Sequence, residues 1–170
     1  MTRPASALRL VPATAESARP TQWFCGHCGA PPADGRTPAP HARVCGACGV
    51  GLLLEARADL APAPGGAFLV VDGGLSVRAL SRAAEVLLAV PEEEAIDRPV
   101  TELLTRADAE ACSGAGAGGG LADAIHAAAG GEDAEPRRLT VRPAYVFGVH
   151  LSARLGICGP PRAALMVFGG

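Results

Sequence analysis

Phe68-Leu-Val-Val-Asp-Gly-Gly-Leu-Ser-Val-Arg-Ala79 reads as a β-hairpin. Phe68 to Val71 is short, apolar and β-branched, as a buried strand is. Asp72-Gly73-Gly74 is a tight-turn signal, and Leu75 to Ala79 alternates with period two. Ser81 follows as an N-cap. Arg82 to Val90 is helical in composition, with Ala84, Leu87 and Leu88 on one stripe. Pro91 closes that helix and can open another turn at its first position. Glu92, Glu93 and Glu94 then sit in the first turn, where acids suit the helix dipole. The triple Glu reads as a solvated helix start in preference to a metal site. Asp97-Arg98-Pro99 is a turn, and Thr101 can cap a second short helix carrying Leu103 and Leu104.

Downstream, residues 113–120 form a Gly/Ala loop. It is not a phosphate loop, because no Lys-Ser/Thr follows it and no strand-turn-helix glycine pattern contains it. Leu121 to Ala129 is a helix with Leu121, Ile125 and Ala128 on one face, ended by Gly130-Gly131. Glu132 to Pro136 is a solvated turn. Three strands finish the chain: Leu139 to Val141; the alternating run from Phe147 to Leu155; and, after a turn at 156–161, Arg162 to Phe168. The last is apolar on both sides and so central in a sheet. Helices between two runs of strands mean an α+β fold.

The stretch from Phe68 to Val90, followed by Pro91-Glu-Glu-Glu-Ala-Ile-Asp-Arg-Pro-Val-Thr-Glu-Leu-Leu104, resembles the opening hairpin and first helices of the PAS domain family. The resemblance covers about residues 66–169. Two positions depart from the family pattern: Ala89 stands where Gly usually follows the helix, and Asp97 where Gly usually precedes Arg-Pro. Asp tolerates left-handed backbone, so the turn at 97 survives; Ala89 is a mild cost. The resemblance implies a five-stranded antiparallel sheet with helices over one face, a sensing role and frequent dimerisation. It also places any small ligand between helices and sheet. Flavin-binding members use a Cys in an Asn-Cys-Arg-Phe-Leu-like segment; Cys112 is followed by Ser-Gly-Ala, so no flavin is expected. Haem-binding members carry a His on the helix that His126 occupies. One His on an Ala-rich helix is thin support, and haem is not the expectation. His126 reads as a partly exposed residue and His150, on the polar side of a strand, as a surface residue.

The second informative stretch is Cys25-Gly26-His27-Cys28-Gly29 with Cys45-Gly46-Ala47-Cys48-Gly49. Two Cys-x-x-Cys pairs at this separation read as a structural zinc site formed by Cys25, Cys28, Cys45 and Cys48. Each pair can form a tight turn aiming two thiolates at one point, and the glycines suit such turns. Four thiolates complete a tetrahedron and leave no open position for a substrate. Disulfides and redox pairs are the alternatives, but nothing marks secretion, and both pairs sit among Gly and Pro rather than opening a helix in a βαβ setting. His27 and His41 could replace a thiolate; with four cysteines available, both read as solvated. Trp23 and Phe24 read as cover for one face of the site. The quartet resembles a zinc ribbon, an appendage whose fold does not fix its function.

A chain of 170 residues, 49% hydrophobic and 4% aromatic, allows one domain plus a small appendage. All fifteen basic residues are Arg, which with the Ala, Gly and Pro richness hints at a GC-rich, bacterial genome. Residues 1–58 hold six Arg against three acids, and residues 59–170 nine Arg against fourteen. Neither half is a basic patch, so nucleic-acid binding lacks electrostatic support. No apolar run reaches the eighteen residues of a membrane span, and no signal-peptide core is present. Cytoplasmic location follows as the expectation, with Cys112 and Cys158 as free thiols.

The expected organisation is a disordered tail over 1–21, a zinc ribbon over 22–57, a Pro/Gly linker over 58–66 and a PAS-like sensor over 67–169. With the two units independent, Cys45→Ser is expected to unfold only residues 23–54. The expected function is a non-enzymatic regulatory protein, sensor or interaction module, with a protein partner or a second copy as its target. The alternative is a zinc-ribbon transcription accessory factor that uses the PAS-like part for dimerisation. No nucleophile–base pair, open metal site or phosphate loop points to an enzyme. A pocket for a small apolar ligand, walled by Leu69, Val71, Leu87, Ile96, Leu103, Ile125, Leu151 and Leu165, competes with a filled core at the same place.

Overall fold

The structure is a computed structural model that describes residues 19–107, 120–130 and 135–169. The tail before residue 19, Cys112, the loop over 113–119 and residues 131–134 lie outside the described residues. Strands β1 (Thr21–Cys25) and β2 (Leu53–Arg57) form the first hairpin; β3 (Phe68–Val71) and β4 (Val77–Leu80) form the second. Helices α1 (Arg82–Leu88), α2 (Glu92–Ala95) and α3 (Val100–Leu103) lead into the short strand β5 (Leu104–Arg106). Helix α4 (Leu121–Gly130) precedes β6 (Arg137–Pro143), β7 (Leu151–Gly159) and β8 (Ala163–Phe168).

All eight strands belong to one antiparallel sheet that curls into a half-barrel. Its main path runs β1-β2-β7-β8-β3-β4, with β6 joining β7 and β5 joining β6. The five strands β4-β3-β8-β7-β6 make the sheet that the PAS resemblance implies, and β8 is internal to it. The expected count of five is corrected to eight, because the ribbon hairpin adds β1 and β2 to the same sheet and the short β5 pairs with β6. Glu55 pairs with Gly159 and Ala56 with Cys158, so β2 continues the edge of β7 where β6 leaves off.

The long β7 makes this possible. Gly and Pro argue for a turn at 156–161, yet the strand runs on to Gly159. Gly156 is needed there, since a Cβ would come within 2.7 Å of the Leu60 side chain. At its other end β7 starts at Leu151, not Phe147; Phe147 is 95% exposed, and Gly148 breaks the strand at φ 73°. The β3–β4 turn is also longer than three residues. The Asp72 carboxylate accepts from the amides of Gly74 (2.8 Å) and Ser76 (3.0 Å), and Leu75 sits at φ 67°, so β4 begins at Val77. Thr101 is not the cap of α3; Pro99 holds that place.

Each face of the sheet has its own core. On the front, Leu69, Val71, Leu155 and Met166 meet Leu80, Leu88, Leu103 and the α4 residue Ile125. On the back, Phe68, Val70, Leu165 and Val167 are covered by Phe24, Leu54, Ala56 and Leu60. Phe24 packs edge-on against Phe68, centroids 5.6 Å apart, and both are fully buried. Thus Phe24 seals the sheet, while Trp23, with Leu53, flanks the cysteines. Residues 58–66 are correspondingly more than a spacer: Leu60 is fully buried, and Gly65 N donates to Cys28 O.

Candidate metal centre

Cys25 ends β1, and the chain turns at once through Gly26-His27-Cys28. The amides of His27 and Cys28 point at Cys25 Sγ (3.4 and 3.5 Å), and Gly29 N closes the turn on Cys25 O (2.9 Å) with φ 72°. The second knuckle repeats this. Ala47 N points at Cys45 Sγ (3.4 Å), Gly49 N closes on Cys45 O (2.9 Å), and Gly49 has φ 73°. Gly51 N points at Cys48 Sγ (3.4 Å). The repeated Cys-Gly-x-Cys-Gly wording is thus a repeated backbone shape, and the positive φ explains the terminal glycine of each.

The two knuckles interlock. Cys25 Sγ lies 3.6 Å from Cys48 Sγ, and Cys28 Sγ 3.9 Å from Cys45 Sγ; all four sulfurs fall within 4.8 Å of one another. A tetrahedron with Zn–S bonds of about 2.3 Å has an edge of about 3.8 Å, so the donor set fits a metal ion such as zinc. Charge argues the same way. Burial pushes the Cys25 thiol up to about 12 and raises Cys28, whereas the amides of Val50 and Gly51 pull Cys48 down to about 6. Four thiolates need a nearby cation to coexist, and a divalent metal supplies it.

Gly51 lies in the apolar stretch Val50-Gly51-Leu52-Leu53-Leu54 and carries a constraint that this stretch does not signal. A Cβ on Gly51 would overlap Cys25 Sγ and lie 2.8 Å from His27 Cβ. Only chain pairing reveals this: Cys45 N donates to Gly51 O and Gly26 N to Leu52 O, which presses residue 51 against the first knuckle.

His27 is half-buried, not solvated. Its Nδ1 lies 3.0 Å from Glu92 Oε2. The other Glu92 oxygen accepts from Leu80 N (3.2 Å), and Glu92 N donates to Glu85 Oε1 (2.6 Å). One member of the triple Glu therefore ties the first knuckle to β4 and α1; Glu93 and Glu94 are exposed as expected. Sixty-five residues separate His27 from Glu92, so no local pattern signals the pair. His41, His126 and His150 are exposed.

Seven of the eight candidate pocket residues do come together. Leu69, Val71, Leu103 and Ile125 are buried in the front core, with Leu87, Ile96 and Leu151 packed against it. Leu165 lies on the back face, because neighbouring β8 residues alternate and Ala164 and Met166 take the front.

No family model matches the chain, and no curated protein matches it. Among solved structures, the chain is similar to the PAS domain of nitrogen regulation protein NR(II) from Vibrio parahaemolyticus. That likeness has 16% identity and a TM-score of 0.38, covering 61% of this chain and 86% of the other. Among the described residues no helix is long and apolar enough to cross a membrane.

Proposed function

We propose that the chain is a non-enzymatic cytoplasmic regulatory module, in which a PAS-like half-barrel senses or binds a partner and a structural zinc holds the ribbon that backs it. The observation that carries this reading is the placement of the four sulfurs at the end of a hairpin that is itself part of the sheet. Closed thiolate sites of this kind serve folding and leave no position for substrate. Metal in such units contributes on the order of 10 kcal/mol of folding free energy. Here that free energy would be delivered to the back face of the half-barrel. A reducing compartment suits unpaired cysteines. Protein, in the form of a partner or a second copy, is the proposed target, since the ribbon half has little excess positive charge.

The test is the metal content and mass of the purified protein, with cobalt substitution. The reading expects one zinc per chain, a Co²⁺ spectrum of tetrahedral four-thiolate coordination, and no other cofactor. A chain that folds metal-free, or a cobalt site open to exogenous ligands, would contradict it.

A further inference from the structure

The ribbon does not close completely on the back of the sheet. Between them lies a cleft of about 650 Å³, within the several-hundred Å³ range of small-molecule sites. Its floor is Val70, Ala79 and Ala163, from three adjacent strands. Its overhanging wall is Val50, Leu52 and Leu54 of the ribbon. Val50 and Leu52 are 70% and 56% exposed, an unusual state for two large apolar side chains that line one cleft.

The charges around this cleft are unevenly committed. Arg78 is held by Asp72 (2.7 Å) and also by Asp97, and Glu92 is held by His27. Arg162, on the β7–β8 turn beside the floor residue Ala163, also lines the cleft; it is exposed, and its side chain has no hydrogen-bond or ion-pair partner among the described residues. An apolar trough with one uncommitted guanidinium at its rim is complementary to an apolar body bearing one anionic group.

We propose that this cleft is a binding site for a small apolar monoanion, seated between ribbon and sheet with its anionic group on Arg162. The site lies on the opposite face from the pocket between helices and sheet that the PAS resemblance implies. It rests on the metal-folded ribbon of the proposed function, because the ribbon is one of its walls. Occupancy would add contacts between ribbon and sheet, so the ligand would stabilise their docking.

The probes are 8-anilinonaphthalene-1-sulfonate and its uncharged relative N-phenyl-1-naphthylamine, titrated into the full zinc-loaded chain and followed by fluorescence and calorimetry. The expected result is saturable one-to-one binding of both. Arg162→Gln should weaken the sulfonate by roughly three- to tenfold and leave the neutral probe unchanged. Val50→Asp should weaken both. Phe147→Asp, at an apolar side chain 95% exposed that does not line the cleft, should weaken neither. Thermal melts show that each variant is folded, and zinc is measured in every sample. One zinc per chain with non-saturable binding, or with Arg162→Gln leaving the sulfonate untouched, or with Val50→Asp without effect, overturns the cleft proposal alone. Absence of zinc overturns the metal reading instead.

Discussion

Single residues already separate what the sequence states from what only the fold states. Ala89 and Asp97 stand where the PAS pattern that the sequence resembles has Gly, and both adopt left-handed backbone, at φ 55° and 63°. That conformation costs an L-residue roughly 1–2 kcal/mol, partly offset by the greater unfolded-state entropy of Gly. Ala89 is exposed, and as C-cap its N–H donates to Glu85 O, so nothing but the backbone is at stake. Ala89→Gly should therefore raise stability by about 0.5–1 kcal/mol in urea unfolding; a loss would show that the turn is not left-handed. Gly51 is the opposite case. Gly51→Ala should displace Cys25 Sγ and reduce zinc content well below one per chain, as read by metal analysis of the purified variant. Retention of full zinc would mean that the knuckles are not pressed together as described. The cysteines were legible because the ligand spacing is local; Gly51 and Glu92 were not, because their partners are brought by strand pairing and a distant turn.

At the scale of elements, the hairpin β3–β4, the capped α1, α4 and the buried β8 followed from period, turn chemistry and the Ser81 cap. Ser81 does more than cap: its hydroxyl accepts from Ala84 N (3.3 Å) and Phe68 N (2.9 Å) and donates to Gly66 O (2.9 Å), joining helix and strand. The C-terminal end of β7 was misread because Gly156 and Gly159 look like turn residues, while in this strand Gly156 admits Leu60 and Gly159 leaves room for the Pro161-Arg162 turn that follows. β5 was hidden because Leu103 and Leu104 look alike in sequence, yet α3 ends at the first and a strand begins at the second. Whether the front core has spare room is decided at α4. Ala124 is buried against β7 and β8 within a continuous apolar cluster. Ala124→Leu should therefore overpack it and cost about 1–3 kcal/mol in urea unfolding. A neutral or stabilising result would reveal a cavity between helix and sheet and favour a ligand there.

For the whole molecule, charge and sheet continuity give the two broadest expectations. The ribbon half carries six Arg against three acids, and its Arg57 is already paired with Asp59 (2.7 Å). Each phosphate contact needs a free positive group, so binding to duplex DNA at physiological salt should be weak and indifferent to sequence. Tight, selective binding in a mobility-shift assay would instead favour the transcription-accessory reading. Sheet continuity changes the expected reach of the metal. With Phe24, Leu54 and Leu60 seated on Phe68, Val70 and Leu165, loss of the ribbon would uncover one face of the central strands. Two composition shifts, Cys-rich to Pro/Gly-rich and then to PAS-like, suggest separate units; the shared back core couples them.

The most direct measurement is amide hydrogen exchange of the zinc-loaded chain against the chelator-treated chain, resolved by peptide. If the metal holds the ribbon onto the half-barrel, zinc removal should deprotect residues 21–57. It should also deprotect residues 156–168 of β7 and β8, which lose the β2 pairing and the back-face cover. Deprotection confined to residues 21–57, with β7 and β8 exchanging as before, would contradict that coupling.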